Sequence, residues 1–353
     1  MDKLTEKERL AKTCKLEVTD RQPLICPGGM MNAVTDEMAR IANIAFPEVH
    51  HDGKLLAEMA KAAHDLSGLE NYGVPFCMTV EAEALGADVD FGDSLCEPHV
   101  VHGAINSVSE YQTLKPIDLR IGRPKAVLDA IKILSALDTD VPVIGNLTGP
   151  VSVAGTTLDC EILLREIRKN HDAALEYMQF VTESVAAFGK AMVEAGANCV
   201  CIAEPTGTGE LLGPKYFDEF SVQFLNQVLD TMKAPLSIVH ICGNMNPVIN
   251  SIKDIHCDVF SFDAMTPVEK VHEAAPNKAL MGNVSTFALG KPDAEIVKRI
   301  TKAAMNHGVN IVAPACGIAT VTPLENLHAM KSVVVEGLDL NLKDVSNGRI
   351  HFE

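Results

Sequence analysis

Along the chain, short runs of apolar, β-branched or cysteine-rich residues alternate with longer stretches whose apolar positions recur every three or four residues. Eight short runs stand out: PLICPGG (23–29), GVPFCMTV (73–80), VPVIGNLTG (141–149), NCVCIAEP (198–205), LSIVHICGN (236–244), DVFSFDA (258–264), ALMGNVS (279–285) and VNIVAPACG (309–317). Each ends in turn-forming or small polar residues, and each is nearly continuous in its apolar character, as strands buried on both faces are. The stretches GRPKAVLDAIKILSAL, HDAALEYMQFVTESVAAFGKAMVEAG and DAEIVKRITKAAMNHG between them carry helical spacing. Alternation of this kind predicts an α/β fold, a (β/α)8 TIM barrel with N-terminal additions. A doubly wound sheet is the competing topology, because run 23–29 is weak and the segment from 85 to 120 is too long for a simple loop. After the last run, Thr322, Pro323 and Glu325 have the pattern of an N-cap, a first helical proline and a capping box.

No repeat, linker or low-complexity segment divides the chain, so residues 1–353 are expected to form a single domain. Hydrophobic residues at 47% and charged residues at 22% supply a substantial core. Thirty Lys and Arg against 47 Asp and Glu give a formal charge of −17, which excludes a nucleic-acid partner by repulsion. No apolar run is long enough to span a membrane and MDKLTEKERLAKTCK lacks a signal-peptide core, so a soluble, cytoplasmic protein is expected. Its ten cysteines have no framework spacing and read as reduced thiols, some of them in the core.

Chemistry concentrates where runs end, since barrel enzymes work at the C-terminal face of their strands. His240 and Cys242 are two residues apart, so on a strand both point to one face. Alone, this pair reads as core. Cys316 at the end of the eighth run changes the reading, because strands five and eight open onto the same mouth. A soft His, Cys, Cys set favours Zn2+ with a fourth position left open.

Other candidates carry a competing bland use. Glu81 and Glu83 follow the second run and are candidate proton acceptors or a weak fourth ligand, against solvated loop carboxylates. Glu204 ends the fourth run and is a candidate catalytic carboxylate, against a surface group. Asn146, Asp263 and Asn283 end runs three, six and seven and are candidates to orient a ligand or anchor the histidine, against capping of turns and helices. His50, His51 and Asp52 are adjacent and read as a solvated turn rather than a metal site. Gly207, Gly209 and Gly213 miss the dinucleotide-binding spacing by one position.

The segments MMNAVTDEM, FPEVHHDGKLLAEMAKAAHDLSGLENYGVPFCMTVEAEALGADVDFG, TGELLGPKYFDEF, HICGN and PACGIATVTPLENLHAM together resemble the methylcobamide:coenzyme M methyltransferases of the uroporphyrinogen decarboxylase superfamily. The decarboxylase branch fits less well: RQPLICPGGMMNAV replaces its arginine-rich N-terminal motif, and ACGI stands where GHGI is common. The resemblance implies that His240, Cys242 and Cys316 are zinc ligands, and that a methyl group moves between a corrinoid and a small thiol. A corrinoid carrier needs Asp-x-His-x-x-Gly; KDIHCDV offers Asp254 and His256 but Val259 in place of glycine. The corrinoid is therefore expected on a separate corrinoid-binding protein. The alternatives are a demethylase passing methyl from a small methoxy, methylthio or methylamine compound to Co(I), and a silent barrel that binds a tetrapyrrole or a partner.

Overall fold

The computed structural model describes residues 3–137 and 139–336, so the part of the single-domain expectation that covers 337–353 lies outside the described residues. Among the described residues nine strands form: β1 (Tyr72–Val74), β2 (Asp88–Asp90), β3 (His99–His102), β4 (Val143–Thr148), β5 (Cys199–Ala203), β6 (Ser237–Ile241), β7 (Val259–Phe262), β8 (Ala279–Val284) and β9 (Ile311–Pro314). Seven of them make one curled parallel sheet in the order β1-β4-β5-β6-β7-β8-β9. Sequential neighbours with helical crossovers exclude the switch of strand order that a doubly wound sheet requires. Every residue of β4, β5, β6, β7 and β9 is buried, which is why these runs lack polar alternation.

The three expected helices form over Gly122–Ser135, His171–Glu194 and Ala294–Asn306. Two expectations need correction. The run 73–80 is mostly not strand: Pro75 has no N–H to give a ladder, β1 ends at Val74, and Val80 already starts the helix Val80–Ala84. Thr322 does not cap the final helix, Leu324–Glu336, since its buried hydroxyl has no partner; the Leu324 N–H donates instead to Glu37, 3.2 Å away.

The long segment after β1 holds the antiparallel pair β2 and β3, separate from the main sheet, and a short 3-10 turn at Val108–Thr113. The weak first run makes only an isolated parallel bridge from Leu24 to Val312 of β9. Its other side meets the start of β1: the Glu70 N–H donates to the Leu24 carbonyl at 2.7 Å, and the Asn71 side chain bridges both backbone groups of Cys26.

All ten cysteines are free, and Cys14, Cys26, Cys77, Cys199, Cys201 and Cys257 are buried as small apolar residues. Among the described residues no helix is long and apolar enough to cross a membrane.

Candidate active site

β6 delivers His240 fully buried, and the chain leaves the sheet at Cys242. Gly243 makes the exit possible: its φ is +78°, and a Cβ there would lie 2.4 Å from Glu210 Oε2. That carboxylate accepts from the Asn244 N–H at 3.0 Å, so the loop after β5 braces the loop after β6. From the next loop, the Thr266 hydroxyl accepts from the Met245 N–H at 3.2 Å. Cys242 is therefore fixed by its neighbours on both sides.

Cys316 follows β9 and is held from the opposite direction. The Ile318 N–H donates to the Asn32 carbonyl at 2.9 Å. A Cβ on Gly317 would lie 2.4 Å from the Met30 carbonyl oxygen, so the backbone of Met30–Asn32 passes directly over this turn.

These constraints bring three soft donors together. His240 Nε2 is 3.0 Å from Cys242 Sγ, and Cys242 Sγ is 3.6 Å from Cys316 Sγ. All three ligand atoms lie within 4.8 Å of one another, and among the described residues no other group of His, Cys, Asp or Glu does so. The two thiols share a proton unequally. The Cys242 thiol, with the His240 imidazole, stabilises Cys316 as the thiolate; the Cys316 thiolate and burial together hold the proton on Cys242.

His240 Nδ1 lies 2.9 Å from the Ser261 hydroxyl, its directly paired neighbour on β7. None of Asn146, Asp263 and Asn283, the candidates to orient a ligand or anchor the histidine, makes this contact; Ser261 does. Asp263 accepts from the Met265 N–H at 3.0 Å, the turn-capping use, while its charge raises the Cys242 thiol from nearby. Asn283, half-buried at the end of β8, makes no side-chain hydrogen bond among the described residues. Asn146 is buried in β4, donating to the Pro27 carbonyl at 2.8 Å and the Val74 carbonyl at 3.1 Å, so it ties the first run to β1.

The candidate carboxylates sit elsewhere, Glu81 and Glu204 buried and Glu83 half-buried. Glu81 is buried and accepts from the Thr148 N–H at 2.9 Å and the Thr148 hydroxyl at 3.1 Å. Glu83 pairs with the buried Arg123 at 3.0 Å. Glu204 is fully buried at the start of the helix Pro150–Leu158, where it accepts from the N–H groups of Val151, Ser152 and Gly207 and from the Ser152 hydroxyl. Burial pushes its carboxyl up to about 7 against those donors.

Of the trio at 50–52, His51 and Asp52 are exposed at a short 3-10 turn, as expected of a solvated turn, and His50 alone departs from it. Asp52 caps the helix Gly53–Ser67 by accepting from the Lys54 and Leu55 N–H groups, and His51 packs edge-on to Phe91. His50 is buried, with both ring nitrogens unpartnered, and burial lowers it to about 3. His256 lies before β7, at the end of the sheet opposite to Cys242, and pairs with Asp230.

With this geometry the chain can be placed. The uroporphyrinogen decarboxylase family model matches residues 5–336. The chain belongs to that family. Within it, the methylcobamide:CoM methyltransferase MtaA of Methanosarcina barkeri is 31% identical over 339 residues, spanning 94% of this chain and 97% of the relative. The methylcobamide:CoM methyltransferase MtbA of Methanosarcina acetivorans is 29% identical over 336 residues, with the same coverage. A solved methyltransferase from Methanosarcina mazei superposes with a TM-score of 0.87 at 31% identity, covering 95% of this chain and 99% of that one. This member of the family is accordingly an enzyme of methyl transfer, which sets aside the silent barrel.

Proposed function

We propose that the protein transfers a methyl group between a corrinoid-binding protein and a small thiol, with Zn2+ held by His240, Cys242 and Cys316. The observation that carries this reading is the convergence of one imidazole and two thiols from two distant strand ends of a methyltransferase-family chain. The donor set fits the metal. Tetrahedral zinc with two thiolates spaces its sulfurs about 3.8 Å apart, and the sulfurs here are 3.6 Å apart. Zinc in this cradle would bind the substrate thiol at an open fourth position and keep it deprotonated near neutral pH.

The chain's own residues do the positioning. Ser261 fixes the His240 ring, Glu210 and Thr266 fix the turn that carries Cys242, and the Met30–Asn32 backbone covers Cys316. In the transfer, the thiolate sulfur forms its bond to the methyl carbon as the cobalt–carbon bond breaks, and both electrons of that bond remain on cobalt as Co(I). The thiol proton goes to solvent. Glu81, Glu83, Glu204 and Asn146 serve this reaction by holding the loops and helices around the mouth, and Asp263 by capping the turn after β7.

We read Pro23–Cys26, between β9 and β1, as the eighth position that completes a (β/α)8 barrel, and the chain as one domain. A separate corrinoid carrier suits the exposed apolar side chains on the loops after β5, β7, β8 and β9: Leu211, Met265, Phe287 and Val321.

Incubating the zinc-loaded protein with methylcobalamin and a panel of small thiols tests the reading. Conversion of the methylcobalamin spectrum to that of Co(I) or Co(II), with formation of the methyl thioether, is expected. No conversion with any thiol, together with methylcobalamin formation from Co(I) and a methoxy, methylthio or methylamine compound, would establish the demethylase reading instead.

A further inference from the structure

Cys242 and Cys316 follow distant strands, β6 and β9, yet their sulfurs lie 3.6 Å apart. All ten cysteines are free, and this is the one pair of thiols in contact among the described residues. A disulfide holds its sulfurs about 2.05 Å apart, so the pair is about 1.5 Å from bonding distance. Both residues lie just beyond their strands, so rotation about the two Cα–Cβ bonds brings the sulfurs together while the sheet stays as it is.

The pair is also within reach of small molecules. Both cysteines are half-buried, and Cys316 forms part of the wall of an open cavity of about 340 Å3, with Met30, Thr286, Phe287 and Ile318. Six of the other cysteines are buried; Cys26, fully covered, spends its thiol on the Met31 carbonyl at 3.1 Å. Cys96 is exposed and Cys160 half-buried, each without a thiol in contact among the described residues. Zinc and a disulfide make exclusive claims on the pair. Bound to the metal, both sulfurs point at one ion and not at each other. Joined to each other, they carry no charge and cease to be ligands, which leaves His240 alone of the three donors.

Resting on the zinc site of the reading above, though not on the direction of methyl transfer, we propose that the site carries its own redox switch. Once zinc is lost, Cys242 and Cys316 close to a disulfide that shuts the site until it is reduced. The oxidant is a small organic disulfide, the oxidised form of the class of thiol that the zinc position would bind. One protein thiol attacks a sulfur of that disulfide and releases one small thiol; the second protein thiol attacks the resulting mixed disulfide and releases the other. The protein gives up two electrons and two protons and gains one S–S bond. The small disulfide loses its S–S bond and takes up both electrons and both protons.

Zinc-stripped and zinc-loaded protein, both kept under argon, are exposed to 2-hydroxyethyl disulfide and mapped by non-reducing tryptic digestion and mass spectrometry. Cys242 and Cys316 fall in separate tryptic peptides, 234–253 and 303–331, that hold no other cysteine. In the stripped protein these peptides should appear joined, lighter than their reduced sum by about 2 Da, whereas exposed Cys96, with no partner, retains a mixed disulfide of about 76 Da. Zinc uptake should fall from near one per chain to near zero and return after treatment with a phosphine reductant. The loaded protein should show Cys96 modified, the pair unjoined and its zinc retained. In Cys316→Ala, Cys242 should keep the mixed disulfide, because the second thiol is missing. Separate adducts on the two peptides, no reaction at the pair while Cys96 reacts, or equal joining with zinc bound overturns the switch, as does zinc uptake that survives joining or fails to return on reduction. Joined peptides in a protein whose reduced form takes up no zinc overturn both the switch and the zinc reading, and leave only a dithiol that closes. A protein that takes up zinc, joins its peptides and transfers no methyl group to any thiol overturns thiol methylation and leaves the switch.

Discussion

Ser261 and His240 are paired residues on adjacent parallel strands, and the serine hydroxyl lies 2.9 Å from the ring nitrogen that faces away from the cysteines. With both side chains buried, the imidazole has no other polar contact on that side and no freedom to rotate.

Ser261→Ala should therefore weaken zinc by about 10–100-fold, the usual effect of removing a ligand's hydrogen-bond partner. Competition with a chelator of known affinity reads the change. Thermal stability of the zinc-free protein should drop only modestly, since a small buried side chain replaces another. An unchanged zinc affinity would show that the hydroxyl is packing alone.

Cys316→Ala removes one of two sulfurs at a half-buried turn. The zinc content of protein purified without chelator should fall from near one per chain to well below that, and methyl transfer should be lost. Circular dichroism should remain that of the parent, because Cys316 lies beyond β9 and outside the sheet.

Strand alternation and the rule that barrel sites lie at strand ends were enough to place His240, Cys242 and Cys316 together from sequence. Both are local or topological facts. Ser261 was also legible in principle: it is the one polar residue inside VFSF, and a buried hydroxyl in an apolar strand needs a partner. Its pairing with His240 depends on register, which the sequence does not state. Glu81 and Glu204 are legible as carboxylates near strand ends, but their use as acceptors for Thr148 and for a helix N-terminus depends on how loops pack across the mouth. His50 reads as solvated in FPEVHHDGK for a related reason: residues distant in sequence, Asn32, Phe76 and Pro98 among them, surround it.

Glu204 gives a pH-dependent stability with a definite sign. Burial raises its carboxyl in the folded protein to about 7, above the ordinary value of 4.5. The folded state thus binds a proton more tightly than the unfolded state between these values, so this contribution is complete below about pH 4.5 and is lost as pH rises through 7. Glu204→Gln removes the titration. The stability difference between parent and variant, from urea unfolding, should shrink between pH 5 and 8 by no more than about 3 kcal/mol. A difference that grows over that interval would mean that the amide donors of Val151 and Ser152 outweigh burial.

Glu70 offers a change that separates folding from chemistry. It is fully buried just before β1, at the end of the sheet away from Cys242, and meets Arg9 at 3.2 Å, Arg21 at 2.5 Å and Lys331. Burial by itself would raise its carboxyl, but Arg21 and Lys331 outweigh burial and hold it below the ordinary value. One carboxylate thus joins the N-terminal helix Glu6–Cys14, the segment just before the first run and the last helix. Glu70→Ala leaves Arg9, itself 1% exposed, without one of its two carboxylate partners. Loss of one member of a buried ion pair costs about 3–5 kcal/mol, and denaturant unfolding should show a penalty of that size. The folded fraction should still bind zinc with parental stoichiometry, because strand-end chemistry and the opposite face share no residues. Loss of zinc at temperatures where the variant remains folded would instead mean that closure of the sheet between β9 and β1 is coupled to the position of Cys316.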